Sequence, residues 1–355
     1  LYGAGFGIAV DPDDNAWISN FGFKTPNCKE KPSVLAISVS KFNPEGVRLS
    51  TPDGDPRITV TGAAPYTGAA GDFGYVGSGN LSQPQGILSD KEGNIWVANC
   101  VNSSVTRFPK GNPDRVENYP FNPEEFDKPF DVAIDHRGHA WVTGNGSNNV
   151  LELDQYGMKI GDWITGEGID RPMGIAVDSK SNLWVANAGV MNPPCPALLD
   201  EPDIGSDGSK NRNAAITLIR HHGKMRKVTT FGKDDGTLDG LRWPWGIAID
   251  GKDNVWVVNF AGKRIMQMCG VKRNNCPPGV KTGEPISPDS GYVNDALKRV
   301  TGIQIDPSGN VWAANNYEEN GLTTGQENPG GHEVVVFIGL AAPVKTPLLG
   351  PVMQP

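Results

Sequence analysis

Residues 7–20 read GIAVDPDDNAWISN, and the chain writes this stretch five more times. The copies are GILSDKEGNIWVAN (86–99), DVAIDHRGHAWVTGN (131–145), GIAVDSKSNLWVAN (174–187), GIAIDGKDNVWVVN (246–259) and GIQIDPSGNVWAAN (302–315). Each joins a run of apolar and small residues, a tight polar turn and a second apolar run centred on Trp17, Trp96, Trp141, Trp184, Trp256 or Trp312, which is the pattern of a β-hairpin. Taken alone, Asp11, Asp13 and Asn15 have the spacing that opens a calcium loop. Aligned with the other copies they read as a turn: Asp11 recurs as Asp90, Asp135, Asp178, Asp250 and Asp306, but Asp13 becomes Glu92, Arg137, Lys180, Lys252 and Ser308. Cations at three of six positions do not suit calcium. The following column, Asp14, Gly93, Gly138, Ser181, Asp253 and Gly309, holds residues that accept positive φ or cap a turn.

Beyond most hairpins lie two further strand-like runs. SVTRF and RVENY flank PKGN, VLELD and KIGDW flank QYGM, and ITLIR and KVTTF flank HHGKMR. Four antiparallel strands per repeat make a propeller blade. The tryptophans are spaced, by difference of their positions, 79, 45, 43, 72 and 56 residues apart. The two shortest intervals fit a bare blade and the others contain insertions. The expectation is therefore an all-β chain: one six-bladed β-propeller of four-stranded antiparallel blades over 1–355, with blades at 1–61, 83–120, 128–166, 171–232, 243–290 and 300–350. An outer strand of the last blade is expected near Val344 to Leu349.

Composition agrees: 355 residues with 45 Gly, 29 Pro and 37% hydrophobic residues describe a turn-rich globular chain. A formal charge of −8, without long runs of one sign, argues against nucleic acid as a partner. No apolar stretch is long enough for a transmembrane segment and no signal peptide is visible, but the sequence starts at Leu1 rather than Met, as after removal of a leader. The five cysteines have no zinc, haem or redox spacing. Cys269 and Cys276 bracket a short polar loop that a disulfide would staple; the pairing of Cys28, Cys100 and Cys195 stays open. Together these favour an extracellular, periplasmic or cell-surface location. Asn80, Asn102 and Asn145 begin glycosylation acceptor patterns, read here as chance in an Asn- and Ser-rich chain.

The repeats resemble the NHL family of six-bladed propellers, whose core reads G-[IV]-A-[VI]-D-x-x-G-N-[ILV]-W-V-A-[DN], over nearly the whole chain. The closing VVVFIGLAAPVKTPLLGP is similar to secreted, streptogramin-lyase-like NHL proteins. The resemblance implies the fold and leaves the activity open, since the family includes lyases, lactonase-like enzymes and interaction modules.

In such a propeller the Asp turns lie at one face, and the start of strand one and the end of strand two at the other. All the long insertions fall at that second face, where they would wall a channel mouth. Two columns line it. One is Phe6, Gln85, Phe130, Met173, Trp245 and Thr301; the other is Asn20, Asn99, Gly144 with Asn145 beyond it, Asn187, Asn259 and Asn315. An apolar floor with convergent amides suits a small organic ligand or another protein. The candidate ligand contacts are Trp245, Trp243, Phe130, Met173, Gln85, Phe6, Asn99, Asn187, Asn259 and Asn315, with WPW (243–245) the most distinctive. The Asn column has an architectural reading beside this one, tying strand ends to loops.

The alternative is an enzyme. By resemblance, streptogramin lyases use His, Glu and magnesium at the mouth, and lactonase propellers hold calcium in the channel. A divalent cation, calcium or magnesium, at the mouth is the cofactor this alternative calls for. His136, His139, His221 and His222 fall at the Asp-turn face, which leaves His332 with Glu318 or Glu319 as the candidate acid/base pair. Asp72, Glu201, Asp203 and Glu327 are further loop carboxylates. The lyase family's Glu column is Asn here, so its acid/base residues do not carry over. The favoured reading is a ligand- or protein-binding scaffold; the alternative is a metal-assisted lyase or lactone hydrolase.

Overall fold

The computed structural model describes residues 5–23, 34–50, 74–75, 78, 80–166, 168–189, 214–222, 225–232, 241–317 and 333–355. Among them, 21 strands form six antiparallel sheets of three or four strands, with no α-helix. The first sheet is β1 (Gly5–Val10), β2 (Ala16–Phe23) and β3 (Val34–Phe42). The second is β4 (Pro84–Ser89), β5 (Ile95–Asn99), β6 (Ser104–Phe108) and β7 (Glu117–Pro120). The third is β8 (Pro129–Ile134), β9 (Ala140–Gly144), β10 (Asn149–Leu153) and β11 (Ile164–Thr165). The fourth is β12 (Pro172–Val177), β13 (Leu183–Asn187), β14 (Ala215–His222) and β15 (Met225–Phe231). The fifth is β16 (Pro244–Ile249), β17 (Val255–Asn259) and β18 (Arg264–Met268), and the sixth β19 (Arg299–Ile305), β20 (Val311–Tyr317) and β21 (Val334–Phe337). Strands are paired in chain order, and the first strand of each sheet packs beside the first strand of the next, from β1 through β19. This is a β-propeller whose innermost strands are the GIAVD-type runs.

Each hairpin closes on its aspartate. Asp11 Oδ1 accepts the backbone N–H groups of Asp13 (3.0 Å) and Asn15 (2.9 Å), while Oδ2 accepts the Trp17 indole N–H (2.9 Å) and the Asn15 amide (3.0 Å). The indole bond recurs at Asp90–Trp96, Asp135–Trp141, Asp178–Trp184, Asp250–Trp256 and Asp306–Trp312. Positive φ falls where the alignment placed it, at Asp14, Gly93, Gly138, Ser181, Asp253 and Gly309. Asp11 is thus filled by donors of its own hairpin, with the Lys41 ammonium 3.5 Å away, which is the arrangement of a turn rather than a calcium loop.

Five of the repeat tryptophans are fully buried. Each sits between its own sheet and the next: Trp17 against Phe108, Trp96 among Val132, Ile134 and Leu153, Trp141 among Ile175, Val177 and Leu183. Trp312, on the sixth sheet, is 43% exposed, and Ile8 and Val334 beside the sixth-to-first seam are 65% and 60% exposed. That seam leaves its apolar faces more open than the other five.

Two outer elements differ from expectation. The fourth strand of the third blade is not 159–163: after one bridge between Leu153 and Lys159 the chain turns at Gly161, which has positive φ, and pairing resumes at Ile164–Thr165. Residues 344–349 form no strand, since Pro343 and Pro347 lack the N–H a ladder needs. The tail instead crosses the Asp-turn face. Ala341 N–H donates to Gly309 O, Gly251 N–H to Ala342 O, and the Gln354 amide to Gly251 O, while Val344 and Val352 are buried against the fifth and sixth blades. The Cys269–Cys276 disulfide is present, and Cys100 is also disulfide-bonded.

Candidate functional site

The site begins with an irregularity shared by the inner strands. Pro84 pairs with Asn99 but Ile87 with Val97, so two residues of β4 face one of β5; β8, β12 and β16 bulge at the same place. Such bulges re-aim backbone and side chains. Here they bring successive inner strands so close that a side chain would collide with the neighbour. A Cβ on Gly7, Gly86, Gly174 or Gly246 would lie 2.5–2.6 Å from backbone atoms of the next blade. Hydroxyls clasp two of these junctions: Thr143 Oγ1 accepts the Asp131 N–H and donates to Met173 O, and Ser19 Oγ bridges Gly7 N–H to Gln85 O.

Asp131 stands alone in this glycine column. Its Oδ2 accepts the Ile175 N–H of the fourth blade (3.0 Å) and its Oδ1 the Val132 N–H (2.9 Å), so at this one junction a side chain is accommodated and its carboxylate bonds to the neighbouring blade's backbone. It borders an axial cavity of about 340 Å³, walled by Ile87, Val132, Ile175, Ile247 and Ile303 and bounded at the Asp-turn end by tail residues Val344, Leu348 and Val352. Among the lining residues Asp131 is the sole charged one. Burial pushes its pKa up to about 6, against the hydrogen bonds from Ile175 and Val132, which pull it down. Asp131 is not among the candidates read from the sequence; the signal that finds it is a carboxylate aligned with Gly7, Gly86, Gly174, Gly246 and Gly302.

One residue nearer the loop-rich face, the first column closes in on the axis. Gln85, Phe130, Met173 and Trp245 are all buried, and Phe130 meets Trp245 edge-on at 5.7 Å although they belong to the third and fifth blades. The Trp245 indole N–H and both polar atoms of the Gln85 amide are buried without a hydrogen-bond partner among the described residues. Trp245 and Phe130 also line the cavity. Trp243 is buried and stacks on Phe260. The side chain of Phe6 lies outside the described residues.

The Asn column is largely committed within the fold. Asn99 accepts the Ser82 N–H and donates to Ser104 and Thr106 hydroxyls; Asn187 accepts from Asp170 and donates to Thr217; Asn315 accepts from Lys298 and donates to Ala296 O. Asn259 accepts the Arg242 N–H, while its own NH₂ is buried unpartnered. These amides tie the end of strand two to the loop leading into strand one.

The candidate acid/base residues His332, Glu318 and Glu319 lie outside the described residues, as do Asp72, Glu201, Asp203 and Glu327. Among the described residues, one group has metal-ligand chemistry in close range, Asp135, His139 and Glu152, at the Asp-turn face. Its carboxylates are already met by guanidinium groups: Arg137 bonds Asp135 (2.8 Å) and Glu152 (3.0 Å), and Arg226 of the fourth blade bonds Glu152 (2.6 Å). The group is an ion-pair clasp between blades three and four.

No protein-family model and no curated protein matches the sequence. Solved structures do match in fold. A streptogramin B lyase is 15% identical with a TM-score of 0.56, covering 88% of this chain and 77% of its own. A putative gluconolactonase is 10% identical with a TM-score of 0.51, covering 97% and 91%. The extracellular domain of a putative one-component system from B. thetaiotaomicron is 12% identical with a TM-score of 0.51, covering 95% of this chain and 34% of that one. These likenesses establish the β-propeller fold.

Proposed function

We propose that the chain is an exported, NHL-type six-bladed propeller that binds a small organic ligand in its axial channel, reached from the loop-rich face. One observation carries this reading: an apolar cavity of about 340 Å³ whose described lining, Trp245 and Phe130 among it, holds a single carboxylate, Asp131. Its volume and its few polar groups on apolar walls are those of small-molecule sites. The disulfides support an oxidising location. Among the described residues no helix is long and apolar enough to cross a membrane.

The catalytic alternative has one supporting observation, the Asp131 carboxyl raised to about 6, a value suited to proton transfer near neutrality. The described lining does not fit the divalent cation that the lyase and lactonase readings bring with them. It offers one carboxylate, where calcium takes six to eight oxygens.

A fragment screen by ligand-detected NMR tests the proposal, with Trp245→Ala and Asn99→Ala as controls. Binding lost in Trp245→Ala and retained in a less stable Asn99→Ala is the expected result; binding indifferent to Trp245 contradicts it.

A further inference from the structure

We propose that the channel's ligand is an organic ammonium ion, its charged nitrogen on Asp131 and its apolar body against the isoleucine-lined wall. This rests on the channel being the binding site and adds the ligand's chemical class. Asp131 is a carboxylate withdrawn into an apolar cavity with no basic side chain among its described lining residues. The strands packed against β8, which are β4, β5, β9 and β12, carry no ionisable side chain, so nothing in them compensates the charge. A half-buried carboxylate facing apolar walls, with no cation among the described lining residues, is costly to charge and draws a counter-ion. Each Asp131 oxygen accepts one backbone N–H and keeps lone-pair capacity for a further donor, which an ammonium with three N–H groups supplies. An inorganic cation fits less well, because the described walls are mainly hydrocarbon and carry one carboxylate.

The test is titration calorimetry of the full chain with cyclohexylammonium, cyclohexanol and cyclohexanecarboxylate, three probes of one shape and different charge. At pH 7.5 cyclohexylammonium should bind about tenfold or more tighter than cyclohexanol, with the carboxylate weakest. Asp131→Asn should bring the ammonium down to the alcohol's affinity and leave the alcohol nearly unchanged. On the unaltered protein, lowering the pH from 7.5 to 5 should weaken the ammonium about tenfold and not the alcohol, as Asp131 takes up its proton; this arm decides the matter if the variant does not fold. Equal affinity for ammonium and alcohol at both pH values overturns the ligand class while the channel reading stands. Displacement of cyclohexylammonium by millimolar calcium overturns it in favour of an inorganic cation. Binding of none of the three probes removes the channel reading and the inference together.

Discussion

Replacing Asp131 by Asn changes one charge in the channel and makes a prediction with a sign. The carboxyl goes from 3.8 in the unfolded chain to about 6 in the folded one, so the folded state holds its proton more tightly. Stability is then fully present below pH 3.8 and is lost as pH rises through 6. A shift of about two units is worth about 3 kcal/mol once both states are deprotonated. Asparagine removes that penalty but offers one acceptor oxygen where Asp131 uses two, for Val132 and Ile175, a loss of about 1 kcal/mol. The variant should therefore be slightly less stable than the parent at pH 4 and more stable at pH 8, by about 2 kcal/mol. Urea denaturation of both proteins between these pH values, disulfides intact, measures the difference, in which all other titrating groups cancel. Parallel curves, or a gap that closes as pH rises, would refute the reasoning.

Three further outcomes follow from the blades. Trp184→Ala should cost about 3–5 kcal/mol, because the ring is fully buried between blades, whereas Trp312→Ala should cost less than half of that; equal losses by urea denaturation would mean the sixth-to-first seam is as tightly packed as the rest. Asp11→Ala should destabilise by about 2–4 kcal/mol by stranding the indole and turn donors, and millimolar calcium should leave the melting temperature of the parent unmoved; a calcium-dependent rise would reinstate the metal loop. Cys269→Ser with Cys276→Ser should cost about 2 kcal/mol, the value for closing so short a loop, measured by the same denaturation.

The hairpins were legible because six in-phase copies average out local ambiguity: the Asp column, the Trp-centred second strands and the positive-φ column are all visible on alignment of the chain with itself. Outer strands were less legible because they carry no repeated signature. KIGDW alternates like a strand, yet Gly161 bends it, and the proline-punctuated tail has apolar residues that serve as a cap on the Asp-turn face rather than as a ladder. The first column was read as a floor beneath an open mouth, while Phe130 and Trp245 meet each other near the axis. Asp131 needed three dimensions, because only the collisions a Cβ would make at Gly86, Gly174 and Gly246 show why a side chain there is exceptional. His332, Glu318 and Glu319 lie outside the described residues, so the acid/base pair stays an expectation of the sequence.

The most direct measurement is a pH titration of the Asp131 carboxyl by carbon NMR, on selectively labelled protein, with and without cyclohexylammonium. The account predicts a midpoint near 6 that moves down when the amine is bound. A midpoint near the ordinary aspartate value that ignores the amine would contradict it.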